Sequence, residues 1–95
     1  RDEESEYVKY DLLGICYLLG RGCRQNPARG KAFLEKSQDS PYKSYGLGMM
    51  YAEGIGVREN IEKGVEYLKA AGNYQPAMEA LKHYKKSLFG VWRRK

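Results

Sequence analysis

The chain repeats itself. Residues 13–37 lie on residues 47–71 at an offset of 34 without a gap, and nine positions then coincide. They are Leu13/Leu47, Gly14/Gly48, Tyr17/Tyr51, Gly20/Gly54, Gly22/Gly56, Arg24/Arg58, Asn26/Asn60, Gly30/Gly64 and Leu34/Leu68. A fixed period of this length marks a stacked-repeat architecture, in which each unit buries its apolar face only against its neighbours. Because four of the matches are glycines, the copies share turns and close approaches as well as an apolar pattern.

Each copy reads as helix, loop, helix. Leu47 and Tyr51 are four apart and share a helical face. Gly48 beside them leaves room for a neighbouring helix. Gly54 ends the helix as a C-terminal glycine does, Gly56 permits a second turn, and Val57 plugs the loop. Asn60 can cap the next helix. In the first copy Gly14, Gly20, Gly22 and Cys23 take these places, and Asn26-Pro27 forms a cap followed by a favoured first residue. Leu34 with Phe33, and Leu68 with Tyr67, supply the buried stripe of the second helix. Ser40-Pro41 opens a third helix, Gly72-Asn73 closes a fourth, and Pro76 opens a fifth that carries Ala77, Leu81 and Tyr84. The expected helices are 4–19, 27–37, 41–53, 61–71 and 76–88, with almost no strand signal. The expected fold is all-α, a right-handed αα-superhelix (α-solenoid) forming one domain over 1–95. Repeat 1 spans about 8–40, repeat 2 about 41–74, and a capping helix with its tail 75–95.

The pattern Leu-Gly-x-x-Tyr-x-x-Gly-x-Gly-Val, complete from Leu47 to Val57 and nearly so from Leu13 to Cys23, resembles the Sel-one-like repeat (SLR). This is a branch of the tetratricopeptide-type helical repeats. Tyr67-Leu68-Lys69-Ala70-Ala71 also fits its second helix. A plain tetratricopeptide repeat shares Leu-Gly-x-x-Tyr but lacks the Gly-x-Gly loop. The resemblance implies an interaction module whose stacked first helices line a concave surface, without chemistry of its own. The family usually has alanine where Gly30 and Gly64 stand and a small residue where Lys43 stands, so these three are expected to weaken helix packing slightly. Secreted members of the family link helices through cysteines seven or eight positions apart, as Cys16 and Cys23 are. Their alignment with Met50 and Val57 favours two buried free thiols instead.

Charge separates the ends of the chain. The net charge is +5, yet residues 80–95 hold Lys82, Lys85, Lys86, Arg93, Arg94 and Lys95 and no acid. The first residues hold Asp2, Glu3, Glu4 and Glu6. Leu88, Phe89, Val91 and Trp92 interleave with the cations. The expected role of this tail is to close the open end of the solenoid. The alternatives are binding to an anion, nucleic acid or a membrane surface, and weak self-association with the acidic head of another copy. Nucleic acid is disfavoured, and no apolar run is long enough for a transmembrane segment. No secretory signal is visible, so a cytoplasmic location is slightly favoured, and export stays open because an upstream segment could have been removed.

The Gly-x-Gly loops lack the Lys-Ser/Thr and the preceding strand of a phosphate loop, so they read as structural turns. His83 is the sole histidine. It is expected to pair with Glu79 one turn earlier on the fifth helix. No nucleophile, base and orienting group come together in the pattern, so no enzyme, cofactor or metal is expected. The candidate partner surface is the concave face, with Tyr45, Met49 and Glu53 on the third helix. The same offset maps these to Asp11, Ile15 and Leu19 in one direction and to Glu79, His83 and Ser87 in the other. A protein or peptide partner is expected there, with Ile15 and Leu19 equally readable as core between repeats.

Overall fold

The computed structural model describes residues 9–95. Positions 4–8 of the expected first helix, and the acidic residues Asp2, Glu3, Glu4 and Glu6, lie outside these. The elements are α1 (Tyr10–Leu19), α2 (Pro27–Lys36), α3 (Pro41–Glu53), α4 (Ile61–Ala70), α5 (Gln75–Leu81), β1 (Tyr84–Lys86) and β2 (Trp92–Arg94). The fold is all-α apart from the terminal strand pair. α1 packs on α2 and α3 on α4 as antiparallel hairpins, and α1 also packs on α3.

The two copies fold by the same contacts. Gly20 and Gly54 end α1 and α3 in the left-handed region, at φ 72° and 67°. That conformation costs an ordinary residue roughly 1–2 kcal/mol. Asn26 and Asn60 then work twice. Their backbone N–H groups donate back to the carbonyls of Tyr17 (2.7 Å) and Tyr51 (2.8 Å). Their side chains accept from Arg29 and Lys63 N–H at 3.1 Å and cap α2 and α4. Tyr17 stacks on Phe33 and Tyr51 on Tyr67, with centroids 5.6 and 5.9 Å apart. Arg29 and Lys63 lie over the Tyr17 and Tyr51 rings at 5.3 and 4.4 Å.

The glycines expected to loosen the packing tighten it. A Cβ on Gly30 would sit 2.8 Å from the Gly14 carbonyl oxygen and 2.7 Å from Leu18 N, so α1 and α2 cross with glycine against glycine. A Cβ on Gly64 would sit 2.5 Å from Ala52 N. The helices are closer than alanine permits in this arrangement. Lys43 is likewise not a packing defect. Its side chain folds back, and its ammonium donates to the Ser37 carbonyl at 2.9 Å, close to the end of α2.

The core runs through both repeats and comprises Ile15, Leu18, Leu34, Tyr45, Met50, Ala52, Val65, Leu68, Ala71, Ala77 and Tyr84. Leu34 is fully buried and lies against Gly14 of α1 and Gly46 of α3, so it fills the seam between the repeats. The repeat markers Leu13, Tyr17, Leu47 and Tyr51 are only half-buried.

The fifth helix does not reach residue 88. It ends at Leu81, and the chain continues as an antiparallel hairpin with Tyr84 opposite Arg94, Lys85 opposite Arg93 and Lys86 opposite Trp92. Two physical reasons account for this correction. A continued helix would place Lys82 beside Lys85 and Lys86 at spacings of three and four, where like charges repel. The hairpin also seats Tyr84 in the core at 4% exposure. Leu88-Phe89-Gly90 forms a three-residue loop with Gly90 at φ 81°, a common hairpin connection. An isolated two-stranded hairpin is marginal at best in water. Here Trp92 packs on the core beneath Lys69, 4.5 Å from its ring centre.

Arg94 completes the second repeat. In the first copy the side chain of Gln25 donates to the Leu18 carbonyl at 2.8 Å. The equivalent residues one period later are Glu59 and Ala52, and a carboxylate cannot donate. The Arg94 guanidinium supplies the missing donor, 2.8 Å from the Ala52 carbonyl, and pairs with Glu59 at 2.5 Å. Both side chains are nearly half exposed, so the arrangement contributes only about 1 kcal/mol. Arg94→Met is expected to cost about that much in urea unfolding, and clearly less in a Glu59→Gln background, where glutamine can take the carbonyl as Gln25 does. Equal losses in both backgrounds would disprove the substitution of one donor for the other.

Candidate functional site

A hollow of about 260 Å³ opens where α3 meets α5 and the start of the hairpin. It is lined by Arg21, Tyr45, Met49, Glu53, Pro76, Glu79, Ala80, His83 and Tyr84. Its walls follow from the repeat. Met49 and Glu53 lie one turn apart on α3, and Pro76, Glu79 and Ala80 lie on α5, the first helix of an incomplete third unit. Arg21 reaches in from the first Gly-x-Gly loop, its guanidinium 3.4 Å from the Tyr45 hydroxyl.

Five of the expected concave-face residues thus meet in one place: Tyr45, Met49, Glu53, Glu79 and His83. Their accessibility differs. Tyr45 is 3% exposed and belongs to the core. It presents only an edge, because Tyr74 packs against it at 5.5 Å in an edge-to-face pair. Burial, with Tyr45 and Tyr42 adding to it, raises the pKa of the Tyr74 hydroxyl. Ile15 is buried as well, and Leu19 packs against the core, so both serve the seam between repeats. Asp11 stands apart from the hollow. Its carboxylate accepts from the Ser40 hydroxyl at 2.8 Å, and the Ser40 oxygen in turn accepts from Lys43 N–H at the start of α3. Asp11 therefore pins the second repeat to the first.

Two carboxylates face the hollow with different partners. Glu53 accepts the Tyr84 hydroxyl at 2.6 Å and lies 3.7 Å from Arg94. Burial, then the hydrogen bond to Glu53, pushes the Tyr84 hydroxyl well above its ordinary pKa, so it stays a neutral donor. Glu79 does not pair with His83 as expected. It accepts from Gln75 at 2.8 Å and from Lys82 at 3.4 Å, because α5 ends before His83 and the helical spacing is lost. His83 is exposed on the rim, and its backbone carbonyl accepts from Lys95 N–H. Arg21, Pro76, Ala80 and Tyr84 line the hollow without being expected there from the sequence. Arg21 was legible in principle as the variable residue inside the Gly-x-Gly loop.

The basic tail divides into two parts. Arg94, Trp92 and Tyr84 turn toward the second repeat. Lys85 and Arg93 face outward, Lys86 is exposed at the end of its strand although it stands opposite Trp92, and Lys82 is held by Glu79. The apolar residues expected to close the solenoid's end also divide. Trp92 does so, while Leu88 and Phe89 at the loop are 101% and 92% exposed, and Val91 is exposed too. Cys16 and Cys23 are unbridged thiols, half-buried instead of buried.

Comparison with known protein families supplies the deciding observation. The Sel1 repeat profile matches residues 11–37 and 44–73, more than half of the chain. This chain belongs to the Sel1 repeat family. Sel1 repeats are helical solenoid units and generally act as non-catalytic protein-interaction modules. Both Gly-x-Gly loops fall within the Sel1 matches, as does α3 from residue 44 onward with Met49 and Glu53. The hairpin lies beyond the second Sel1 match. Searches of curated proteins and of solved structures find no match. Among the described residues no helix is long and apolar enough to cross a membrane.

Proposed function

We propose that this Sel1 repeat chain is a scaffold that holds a short peptide or a protein segment in the hollow between α3 and α5, without performing chemistry. The observation that carries the reading is the convergence of Met49, Glu53, Glu79 and His83 from two successive repeat positions on one hollow. Its size discriminates between ligands. At about 260 Å³ it falls below the roughly 300–1,000 Å³ of small-molecule and cofactor sites, and it suits one anchoring side chain of a longer ligand. Met49 and the edges of Tyr45 and Tyr84 offer an apolar floor. Glu79, His83 and Arg21 offer polar groups at the rim, and such mixed surfaces are common in partner sites.

A displayed random-peptide library selected on the immobilised protein tests this. Selected peptides are expected to lose at least about tenfold in affinity for a Glu79→Lys, His83→Ala variant. Both residues lie outside the core, so the variant should keep its helical circular dichroism. A Glu35→Lys variant on α2, which does not line the hollow, should bind as the parent does. Peptides that bind the double variant undiminished would place the partner surface elsewhere.

A further inference from the structure

The hairpin carries charge and apolar surface that the scaffold does not use. Leu88 and Phe89 are almost fully exposed at its loop, with Val91 exposed beside them. Large apolar side chains in so complete an exposure are unfavourable in water. Lys85 and Arg93 sit directly opposite each other in the strand pair. A like-charge pair across two strands destabilises a hairpin that is already short. Residues 80–95 contain no acid, so nothing in the segment itself relieves that repulsion. Lys85, Lys86, Ser87, Leu88, Phe89 and Arg93 together line an open hollow of about 430 Å³. Apolar tip and cationic collar are therefore contiguous.

We infer that this hairpin docks on an anionic lipid bilayer, with Leu88 and Phe89 entering the interface and Lys85, Lys86 and Arg93 meeting the phosphate and carboxylate headgroups. The chemistry matches that surface on both counts. An interfacial anchor needs apolar side chains that reach the acyl boundary and cations at headgroup level, and neither alone gives stable binding. Each cation near an anionic leaflet adds to the attraction, and Lys and Arg stems can lie along the apolar boundary while their charges stay wet. Nucleic acid fits less well. Its binding surfaces stack bases on several aromatic rings, whereas here one phenylalanine stands beside leucine and valine, and Trp92 is turned to the core. The residues of this anchor share no member with the lining of the α3–α5 hollow.

Sedimentation with phosphatidylcholine vesicles, with and without about 30% phosphatidylserine, tests the inference. The expected result is binding to the anionic vesicles alone. Leu88→Ser with Phe89→Ser should weaken it by at least about tenfold, and Lys85→Gln with Lys86→Gln by about thirtyfold. Leu88 and Phe89 touch no core, so an unchanged melting temperature should confirm that the first variant stays folded. Absence of binding to anionic vesicles at low salt would overturn the inference. So would binding unaffected by loss of Leu88 and Phe89. A single-stranded oligonucleotide that binds more tightly than the vesicles, and equally to the serine variant, would overturn it in favour of nucleic acid.

Discussion

Leu34→Ala is expected to lower the unfolding free energy by about 3 kcal/mol, within the range for emptying a buried leucine site. Leu34 is fully buried, and it fills the gap that Gly14 leaves on α1 and Gly46 leaves on α3. Two of the walls of that space are glycine backbone, which has no side chain to swing into it. A domain of this size has a net stability near the low end of about 5–15 kcal/mol, so the loss is a large share of it. With a urea slope of about 1.5–2 kcal/mol/M, the midpoint should fall by roughly 1.5–2 M. A shift under about 0.5 M would mean that the seam between the repeats is not where the fold is held.

Gly64→Val is expected to cost about 3 kcal/mol for the opposite reason, overfilling. The new Cβ alone would lie 2.6 Å from the Ala52 Cβ and 2.8 Å from its Cα, and backbone cannot move aside as a flexible side chain can. Gly64→Ala carries the sharper sign. At an exposed helix position this change gains up to about 1 kcal/mol. Here the crossing of α3 and α4 should turn the gain into a loss, measured by thermal unfolding followed by circular dichroism. A stabilised alanine variant would show that the close approach is not required.

These two residues also show what the sequence made legible. Identity between the copies picks out Gly14, Gly48, Gly30, Gly64, Leu34 and Leu68 because the same crossing is built twice. It does not pick out Leu18 and Ala52, or Cys16 and Met50, whose positions correspond while their side chains differ. Tyr45 lies in the core yet aligns with Asp11, a polar anchor for Ser40. Of the residues expected on the concave face, Tyr45 is spent on packing, and Ile15 takes the core role that was equally open to it.

The hairpin was the least legible part. Residues 82–95 have neither strict alternation nor helical period, and the helix expected over 76–88 runs through the cations at 82, 85 and 86. What sets the strand pair is tertiary. Tyr84 needs Glu53, and Arg94 needs the carbonyl of Ala52 and the carboxylate of Glu59. The exchange of Gln25 for Glu59 across the period is visible in the sequence. Its compensation by a residue 35 positions further on appears only once the chain is folded.

The most direct test of the scaffold is a two-dimensional amide spectrum of the protein titrated with a selected peptide. The largest shifts are expected on Met49, Glu53, Glu79, Ala80 and His83, with α2 and the outer face of α4 unmoved. Shifts concentrated on α2 and α4, or a library from which no peptide can be enriched, would contradict it.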